Sequence, residues 1–233
     1  MKRRAFGQYC GLARALELVG ERWALLIIRD LTVRPQRYTD LVDGLPGIPS
    51  NVLSTRLKEM EEAGIVERRI APAPQRGVIY ALTSAGHDLE PAVSALGRWG
   101  TVQLGEPKPG EIVTPSSVVM ALRAAFRPDA AAGLTASWEL HADDMVIYTA
   151  VTDGHLTAGI GAAPDKADLV VTFELDGLPS YLALMQAAKC GLVTLEGPRR
   201  FLDDFIRVFA PAKVALSESR PEEPGPMRPA LDA

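Results

Sequence analysis

Residues 45–64, which read LPGIPSNVLSTRLKEMEEAG, carry the pattern that decides the fold of this chain. After a break rich in proline and glycine, Leu53, Leu57 and Met60 recur at i, i+4 and i+7, the spacing of one apolar stripe on a helix. At about 100° per residue, the opposite face is polar. It carries Asn51, Ser54, Thr55, Lys58 and Glu62. The stretch therefore predicts a helix with one buried face and one polar face.

The first two turns of this helix suit contact with DNA. Asn pairs with the edge of adenine, Ser and Thr with bases or phosphates, and Lys with phosphate or guanine. Glu59, Glu61 and Glu62 gather at the far end, so only the N-terminal part suits a phosphate-lined groove. A recognition helix is used in this way. Because an ordinary surface helix can show the same pattern, the neighbouring elements must decide between the two interpretations.

The residues before this stretch predict further helices. Residues 8–19 and 21–33 carry apolar residues at helical spacing, and the second run is apolar on nearly all sides. Residues 37–41 are expected to form a short helix with Thr39 as its cap. A short helix, a tight turn and the helix from Ser50 together make a helix-turn-helix.

Beyond the helix the period changes to that of strands. Residues 65–70 and 78–82 are β-prone and flank a turn rich in proline, so a hairpin is expected with Arg68 in its first strand and Arg76 in its loop. In a winged helix, such a hairpin lies beside the recognition helix and its basic groups reach phosphate or the minor groove. A solvated edge hairpin is the alternative.

Residues 83–99 predict one further helix with a large apolar face, formed by Leu89, Val93, Leu96 and Trp99. A small winged helix has little core left for these side chains, so a second copy of the chain is expected to cover them. The resulting homodimer would present two recognition helices to half-sites about one DNA turn apart.

Charge is distributed unevenly along the chain. The net charge is −4, but residues 1–105 carry +3 and residues 106–233 carry −7. Such asymmetry is typical of a chain in which one part faces nucleic acid and the other part has another role.

The helix, the short helix before it and the hairpin together supply the predicted DNA-contacting residues. These are Arg37, Thr39, Ser50, Asn51, Ser54, Thr55, Arg56, Lys58, Arg68 and Arg76.

Residues 8–100 resemble the HxlR-type winged helix-turn-helix transcriptional regulators. The resemblance lies in LELVGERWALLIIRDL, RYTDLVDGLPGI, VLSTRLKEMEEAGIVERR, YALTSAG and ALGRWG. It implies a dimeric bacterial regulator, more often a repressor than an activator, whose helix from Ser50 reads the major groove and whose hairpin is the wing. Relatives often have Ser-Pro-Lys where this chain has Pro49-Ser50-Asn51, so the expected cap moves to Ser50 and an amide replaces a phosphate-binding cation.

Cys10 is a candidate redox residue. Many relatives have Cys-Pro near the N-terminus, where this chain has Cys10-Gly11, and some use that cysteine to sense oxidants or electrophiles. A cysteine near a helix start, with Arg14 close by, can have a stabilised thiolate; a buried and inert cysteine is the alternative. Cys10 and Cys190 form no CxxC or Cys/His cluster, which argues against a zinc site and a disulfide framework.

The second half predicts an α+β domain. Residues 105–115 are rich in proline and glycine and are expected to be a linker, and residues 214–233 a flexible tail. The helix at 116–126 is expected to be capped by Ser116 or Ser117. Strands are predicted at 134–141, 145–152, 155–161, 168–175 and 192–197, with helices at 180–191 and 199–210. This order indicates a mostly antiparallel sheet with helices on one face.

Residues 112–213 resemble the sterol-carrier-protein-2-like fold, most clearly across DLVVTFELDGLPSYLALMQAAKCGLVTLEGPRRFLDDFIRVF. Such domains enclose an apolar tunnel, so the resemblance implies a pocket for a hydrophobic small molecule within residues 116–213. The candidate lining residues are Leu182, Met185, Phe201, Phe205 and Phe209. The alternative is that these side chains fill a core.

Catalysis is not expected. His87, His141 and His155 are scattered, and no Gly-rich phosphate loop, GxSxG or HExxH motif is present, so we expect neither an enzyme nor a metal or cofactor. No apolar run reaches the roughly 18 residues that a membrane span requires. The start of the chain lacks the apolar region of a signal peptide, which favours a cytoplasmic protein without a membrane partner.

The leading hypothesis is a transcriptional regulator that binds an operator in double-stranded DNA. Residues 1–104 would bind DNA and dimerise, and a hydrophobic effector in the second domain would control them. One alternative is a carrier or sequestering protein for hydrophobic molecules that uses its winged helix only to dimerise. Another is a second domain that holds no ligand and stiffens the dimer.

Overall fold

The computed structural model describes residues 5–73, 76–101, 103–104, 108, 110–173 and 193–209. The first half contains α1 (Gly11–Val19), α2 (Ala24–Val33), α3 (Tyr38–Gly44), α4 (Ser50–Glu62), β1 (Val66–Ile70), β2 (Val78–Leu82), α5 (Ser84–His87) and α6 (Glu90–Thr101). The second half contains α7 (Pro115–Ala125), a 3-10 turn (Asp129–Ala131), β3 (Thr135–Ala142), β4 (Met145–Thr152), β5 (His155–Ile160), β6 (Leu169–Phe173), β7 (Thr194–Glu196) and α8 (Arg200–Val208).

The first hydrophobic core lies between α2, α3, α4 and the hairpin. The predicted stripe of Leu53, Leu57 and Met60 is almost fully buried in this core, as its spacing indicated. Ile27 and Leu31 of α2 face the same core. The polar face of α4 is thereby turned outward.

The ends of α4 are set by backbone chemistry. Ala63 closes the helix and Gly64 follows at φ +70°, a left-handed conformation that glycine adopts without steric cost. The N–H of Ile65 donates to the Met60 carbonyl at 2.9 Å, and that of Gly64 to the Glu61 carbonyl at 3.0 Å. These two bonds form a Schellman motif, which satisfies carbonyls at the helix end.

Two of the expected helix caps were wrong by one or two residues. Pro49, in an extended conformation, is the N-cap of α4, and Ser50 is already helical. Arg37 precedes α3, so Thr39 lies inside the helix. There the Asp40 carboxylate accepts from the Arg37 N–H at 3.0 Å, and this bond fixes the helix start.

The hairpin forms as predicted and is attached to the helices. Val66 pairs with Leu82 and Ile70 with Val78 across the antiparallel strands. Gln36 and Tyr80 exchange two backbone hydrogen bonds of 2.9 and 2.7 Å, so the loop between α2 and α3 acts as a short third strand. The position of the hairpin relative to α3 and α4 is therefore fixed by the backbone.

The predicted helix at residues 83–99 is in fact two helices. The Thr83 hydroxyl accepts from the Gly86 N–H at 3.1 Å and caps α5. Pro91 lacks an N–H and would clash with the carbonyl four residues earlier, so α5 cannot continue through it. Instead, α6 begins at Glu90 and contains no fully buried residue.

The second half forms a sheet of order β5-β4-β3-β6-β7, in which β3 and β6 are parallel and the other pairs are antiparallel. Alternate residues of β3 face a second core, which also receives Val119 and Leu122 of α7 and Leu202 and Phe205 of α8. The cap of α7 is Thr114, whose hydroxyl accepts from the Ser117 N–H, and not Ser116 or Ser117. The helix predicted at residues 180–191 lies outside the described residues.

Candidate nucleic-acid interface

The N-terminal half of α4 presents a continuous polar surface. Its exposed members are Ser50, Asn51, Ser54, Thr55 and Lys58. Thr39 of α3 is also exposed. The Thr55 hydroxyl donates to the Asn51 carbonyl at 2.7 Å, so it remains an acceptor toward solvent. The surface thus offers an amide, several hydroxyls and an ammonium group, which are suited to base edges and phosphates.

Tyr38 orients the start of α4, a role that no local sequence pattern predicted. Its hydroxyl donates to the Ser50 carbonyl at 2.8 Å and lies 3.2 Å from the Ser54 hydroxyl. Because these bonds join the first residue of α3 to the first turn of α4, Tyr38 fixes the angle between the two helices of the helix-turn-helix.

Arg37 and Arg76 meet where the hairpin loop approaches α3. A guanidinium nitrogen of Arg37 donates to the Arg76 carbonyl at 2.9 Å. Gly77 has φ +135°, and a Cβ there would lie 3.4 Å from the Arg37 guanidinium. Among the described residues, no carboxylate lies within ion-pair distance of either arginine. The bond joins the Arg37 guanidinium to the backbone of Arg76, and both side chains, without a carboxylate partner among the described residues, remain available to phosphate.

The other predicted cations have carboxylate neighbours. Arg68 donates to Glu61 at 2.9 Å, which raises the pKa of the Arg68 guanidinium, and Lys58 lies 4.0 Å from Glu62. Arg56 contacts Glu59 and, at 3.3 Å, Glu21. The Arg56 side chain therefore contacts Glu59 of its own helix α4 and Glu21 in the turn before α2, and it does not belong to the exposed polar face of α4.

An open cavity of about 460 Å³ lies between α4 and the hairpin. Its lining combines aromatic and charged side chains, including Tyr38, Ser54, Lys58, Arg68 and Tyr80. Glu61 and Glu62 also line this cavity and neighbour the two cations, so its charges balance and it does not by itself favour a phosphate backbone.

Large apolar side chains are exposed on α1 and on α6. Leu12 is 69% exposed and Trp99 is 67% exposed, and Leu16 and Leu96 belong to the same two helices. The apolar face that the sequence predicted for residues 83–99 is thus present but only partly covered by the chain itself: Leu89 and Val93 pack against the first core, whereas Leu96 and Trp99 do not. Exposed apolar surfaces of this kind mark interaction sites.

The candidate ligand residues of the second domain separate into two groups. Phe205 and Phe209 are buried, with ring centroids 4.6 Å apart, and both pack against Trp138 at 5.6 and 6.0 Å. Phe201 is half-buried, and its carbonyl accepts from the Trp138 indole N–H at 2.7 Å. Leu182 and Met185 lie outside the described residues.

Cys10 is exposed and stands immediately before α1. The backbone N–H groups of Ala13 and Leu12 lower the pKa of its thiol below the ordinary value. This is the environment that favours a thiolate at a helix start.

Two negative findings concern only the described part of the chain. None of its helices is both long and apolar enough to cross a membrane. Within the same residues, no group of three or more His, Cys, Asp or Glu side chains is placed to hold a metal ion.

A compact helix-turn-helix with an attached hairpin defines the winged-helix class of protein, and comparison with known sequences agrees. The profile of the HxlR-like helix-turn-helix family matches residues 18–108. The regulator YodB of Bacillus subtilis is 38% identical over 93 residues, which cover 40% of this chain and 82% of YodB. The regulator YvaP of the same organism is 34% identical over 88 residues, or 38% of this chain and 82% of YvaP. The chain belongs to the HxlR-like helix-turn-helix family.

A third relative, an uncharacterized HTH-type transcriptional regulator of Mycobacterium tuberculosis, is 41% identical over 97 residues, which are 42% of this chain. The matched segment spans 61% of the length of that relative. Among solved structures, the putative transcription factor PA1607 matches with 28% identity and a TM-score of 0.40, over 46% of this chain and 73% of PA1607. Quinone-bound YodB matches with 33% identity and a TM-score of 0.34, over 39% of this chain and 96% of YodB.

Proposed function

We propose that this protein is a dimeric, cytoplasmic transcriptional regulator, acting as a repressor, that reads an operator in the major groove with the N-terminal half of α4. The observation that carries the proposal is the exposed polar surface of α4, held on a buried stripe and flanked by the Arg37–Arg76 pair. The helix supplies base contacts and the two arginines supply phosphate contacts. The relatives, which are HTH-type transcriptional regulators, support the same role.

The partner proposed for the apolar surface of α1 and α6 is a second copy of the chain. Leu12, Leu16, Leu96 and Trp99 would leave a large apolar area in water in a monomer. A twofold axis through this surface would bring two α4 helices to one side of the dimer, as an operator with two half-sites requires.

For the second domain we propose two candidate roles: control by a hydrophobic small molecule, and stiffening of the dimer. The contacts between Trp138, Phe205 and Phe209 favour the second candidate, because three large aromatic side chains already fill the space between β3 and α8 there. Cys10, with its lowered thiol pKa, is a proposed additional site of control by oxidants or electrophiles.

The function is tested by selecting duplexes from a random pool with the full-length protein and measuring affinity by fluorescence anisotropy. Asn51→Ala is expected to relax the preference at one position of each half-site by about 1–3 kcal/mol. Arg76→Ala is expected to weaken binding to all duplexes alike. It should also make the affinity for DNA fall less steeply as the salt concentration rises.

Asp43→Ala is a suitable control, because Asp43 is exposed on α3 and outside the proposed contacts. If no duplex is enriched, or if both contact variants bind as the natural protein does, the protein is not a DNA-binding regulator of this kind. Binding of hydrophobic molecules without DNA binding would instead support the carrier.

A further inference from the structure

Helix α7 lies between the second hydrophobic core and two helices of the winged helix. Val119 and Leu122 belong to the second core, and α7 contacts β4 and β5 of that domain. On its other side, α7 contacts α2 and α6 of the winged helix. Ser116 and Arg123 are seven residues apart, which is close to two helical turns, so both lie on one side of α7.

Arg123 joins three elements with one guanidinium group. One terminal nitrogen lies 3.1 Å from the Glu90 carboxylate and 3.4 Å from the Thr32 carbonyl, and the other donates to the Ala158 carbonyl at 3.2 Å. These partners are the first residue of α6, the last turn of α2 and strand β5. The Arg123 side chain is only 25% exposed, so the bonds are partly shielded from water.

The charges at this junction suit the helix ends. Thr32 lies in the last turn of α2, where carbonyls lack helical partners and favour a cation. Glu90 lies in the first turn of α6, where a carboxylate is favoured. Arg123, which lies on α7, therefore stabilises the contact between the end of α2 and the start of α6.

A second contact holds the beginning of α7. Asp30 of α2 is fully buried; one oxygen of its carboxyl accepts from Arg29 at 2.8 Å, and the other oxygen has no hydrogen-bond partner among the described residues. At Gly44, the end of α3, a Cβ would lie only 2.9 Å from the Asp30 carboxylate. Ser116, which is itself buried, is close enough to this carboxyl to lower its pKa, so the same side of α7 adjoins α2 beside the helix-turn-helix.

We propose that Arg123 is a positioning residue that holds the start of α6 against the end of α2, and that the second domain thereby sets the distance between the two recognition helices of the dimer. The inference rests on the proposed function. Because α6 has no fully buried residue, its own core fixes its angle only weakly. A change in that angle would move the partner copy, whose α4 would then meet DNA at a different spacing.

The test compares duplexes with different distances between the half-sites. The selected duplex is altered by inserting or deleting one base pair at its centre, and affinity is measured for the natural protein and for Arg123→Ala. We expect the natural protein to prefer the selected spacing, and Arg123→Ala to lose about 3- to 30-fold of that preference. Base preference within each half-site and the salt dependence are expected to stay unchanged, because α4 and the Arg37–Arg76 pair are intact.

Two further variants and one control refine the test. Glu90→Gln keeps a hydrogen-bond acceptor but removes the charge, so a smaller loss of the spacing preference is expected. Because Glu90 and Arg123 contact each other, the effects of Glu90→Gln and Arg123→Ala should not add. Arg127 is exposed and, among the described residues, forms an ion pair with Asp129 of the same domain, so Arg127→Ala should leave the spacing preference unchanged. If Arg123→Ala does not fold, Arg123→Lys and Glu90→Gln decide the question.

An unchanged spacing preference in the folded Arg123 and Glu90 variants, with dimerisation intact, would overturn the inference and leave the proposed function standing. If the natural protein selects no duplex, the proposed function fails and this inference fails with it.

Discussion

At the residue scale, Asp30 is a costly group to bury. Burial raises the pKa of its carboxyl, although the Arg29 charge opposes this effect. The folded protein therefore binds more protons than the unfolded chain between the ordinary aspartate pKa, about 4, and the raised value. It follows that this group makes the free energy of unfolding decrease as the pH rises through that interval.

Asp30→Asn is expected to reduce this decrease and to make the protein more stable near neutral pH, because no buried carboxyl remains to ionise. Urea unfolding between about pH 4 and pH 8 measures the effect. Asp43→Asn changes the net charge equally at an exposed position and serves as the control. Parallel pH profiles for the natural protein and Asp30→Asn would contradict the prediction.

Also at the residue scale, Cys10 is expected to be alkylated at lower pH than an ordinary thiol, because neighbouring backbone N–H groups lower its pKa. Mass spectrometry after short exposure to iodoacetamide at several pH values locates the midpoint for this cysteine, with an unfolded sample as the reference. The same midpoint in the folded and unfolded protein would show that α1 does not activate the thiol.

At the element scale, α6 is expected to carry the dimer. Trp99→Glu places a charge in the proposed interface and should weaken dimerisation at least about a hundredfold, since an unpaired buried charge costs several kcal/mol. Analytical ultracentrifugation measures the change. Ile70→Glu, in a side chain that is 75% exposed at the hairpin tip, is the matched control. If Trp99→Glu remains a dimer, another surface joins the copies.

Helix α8 provides a test of the second domain. If Phe205 is part of a filled core, Phe205→Ala should lower the free energy of unfolding by about 3–5 kcal/mol, and Phe201→Ala, in a half-buried side chain, should lower it by less. Denaturant unfolding measures both. A small loss for Phe205→Ala would indicate a pocket wall rather than a core residue.

The elements also show what local pattern can predict. The apolar stripe of α4 and the strands of the hairpin follow from periodicity, because each depends on residues close in sequence. Tyr38, the Gln36–Tyr80 bridge and Arg123 were not predicted, since each depends on contacts between distant residues. The division of residues 83–99 was missed because the apolar spacing continues across Pro91 while the backbone cannot.

At the scale of the whole molecule, the charge is opposite in the two halves, +3 in residues 1–105 and −7 in residues 106–233. Binding to DNA must therefore depend on a few local cations rather than on the net charge. With Arg37 and Arg76 from each of two copies, about four phosphate contacts are expected, and the logarithm of the affinity should fall with that of the salt concentration with a slope near −4. Removing Arg76 should change this slope by about 2 per dimer.

The central claim is that two copies of α4 meet one duplex at half-sites a helical turn apart. Hydroxyl-radical footprinting of the selected duplex with the full-length protein tests it most directly. The structure leads us to expect two protected segments whose centres lie about 10–10.5 base pairs, or a multiple of that spacing, apart. A single protected segment, or uniform cleavage at concentrations that saturate the anisotropy signal, would contradict it.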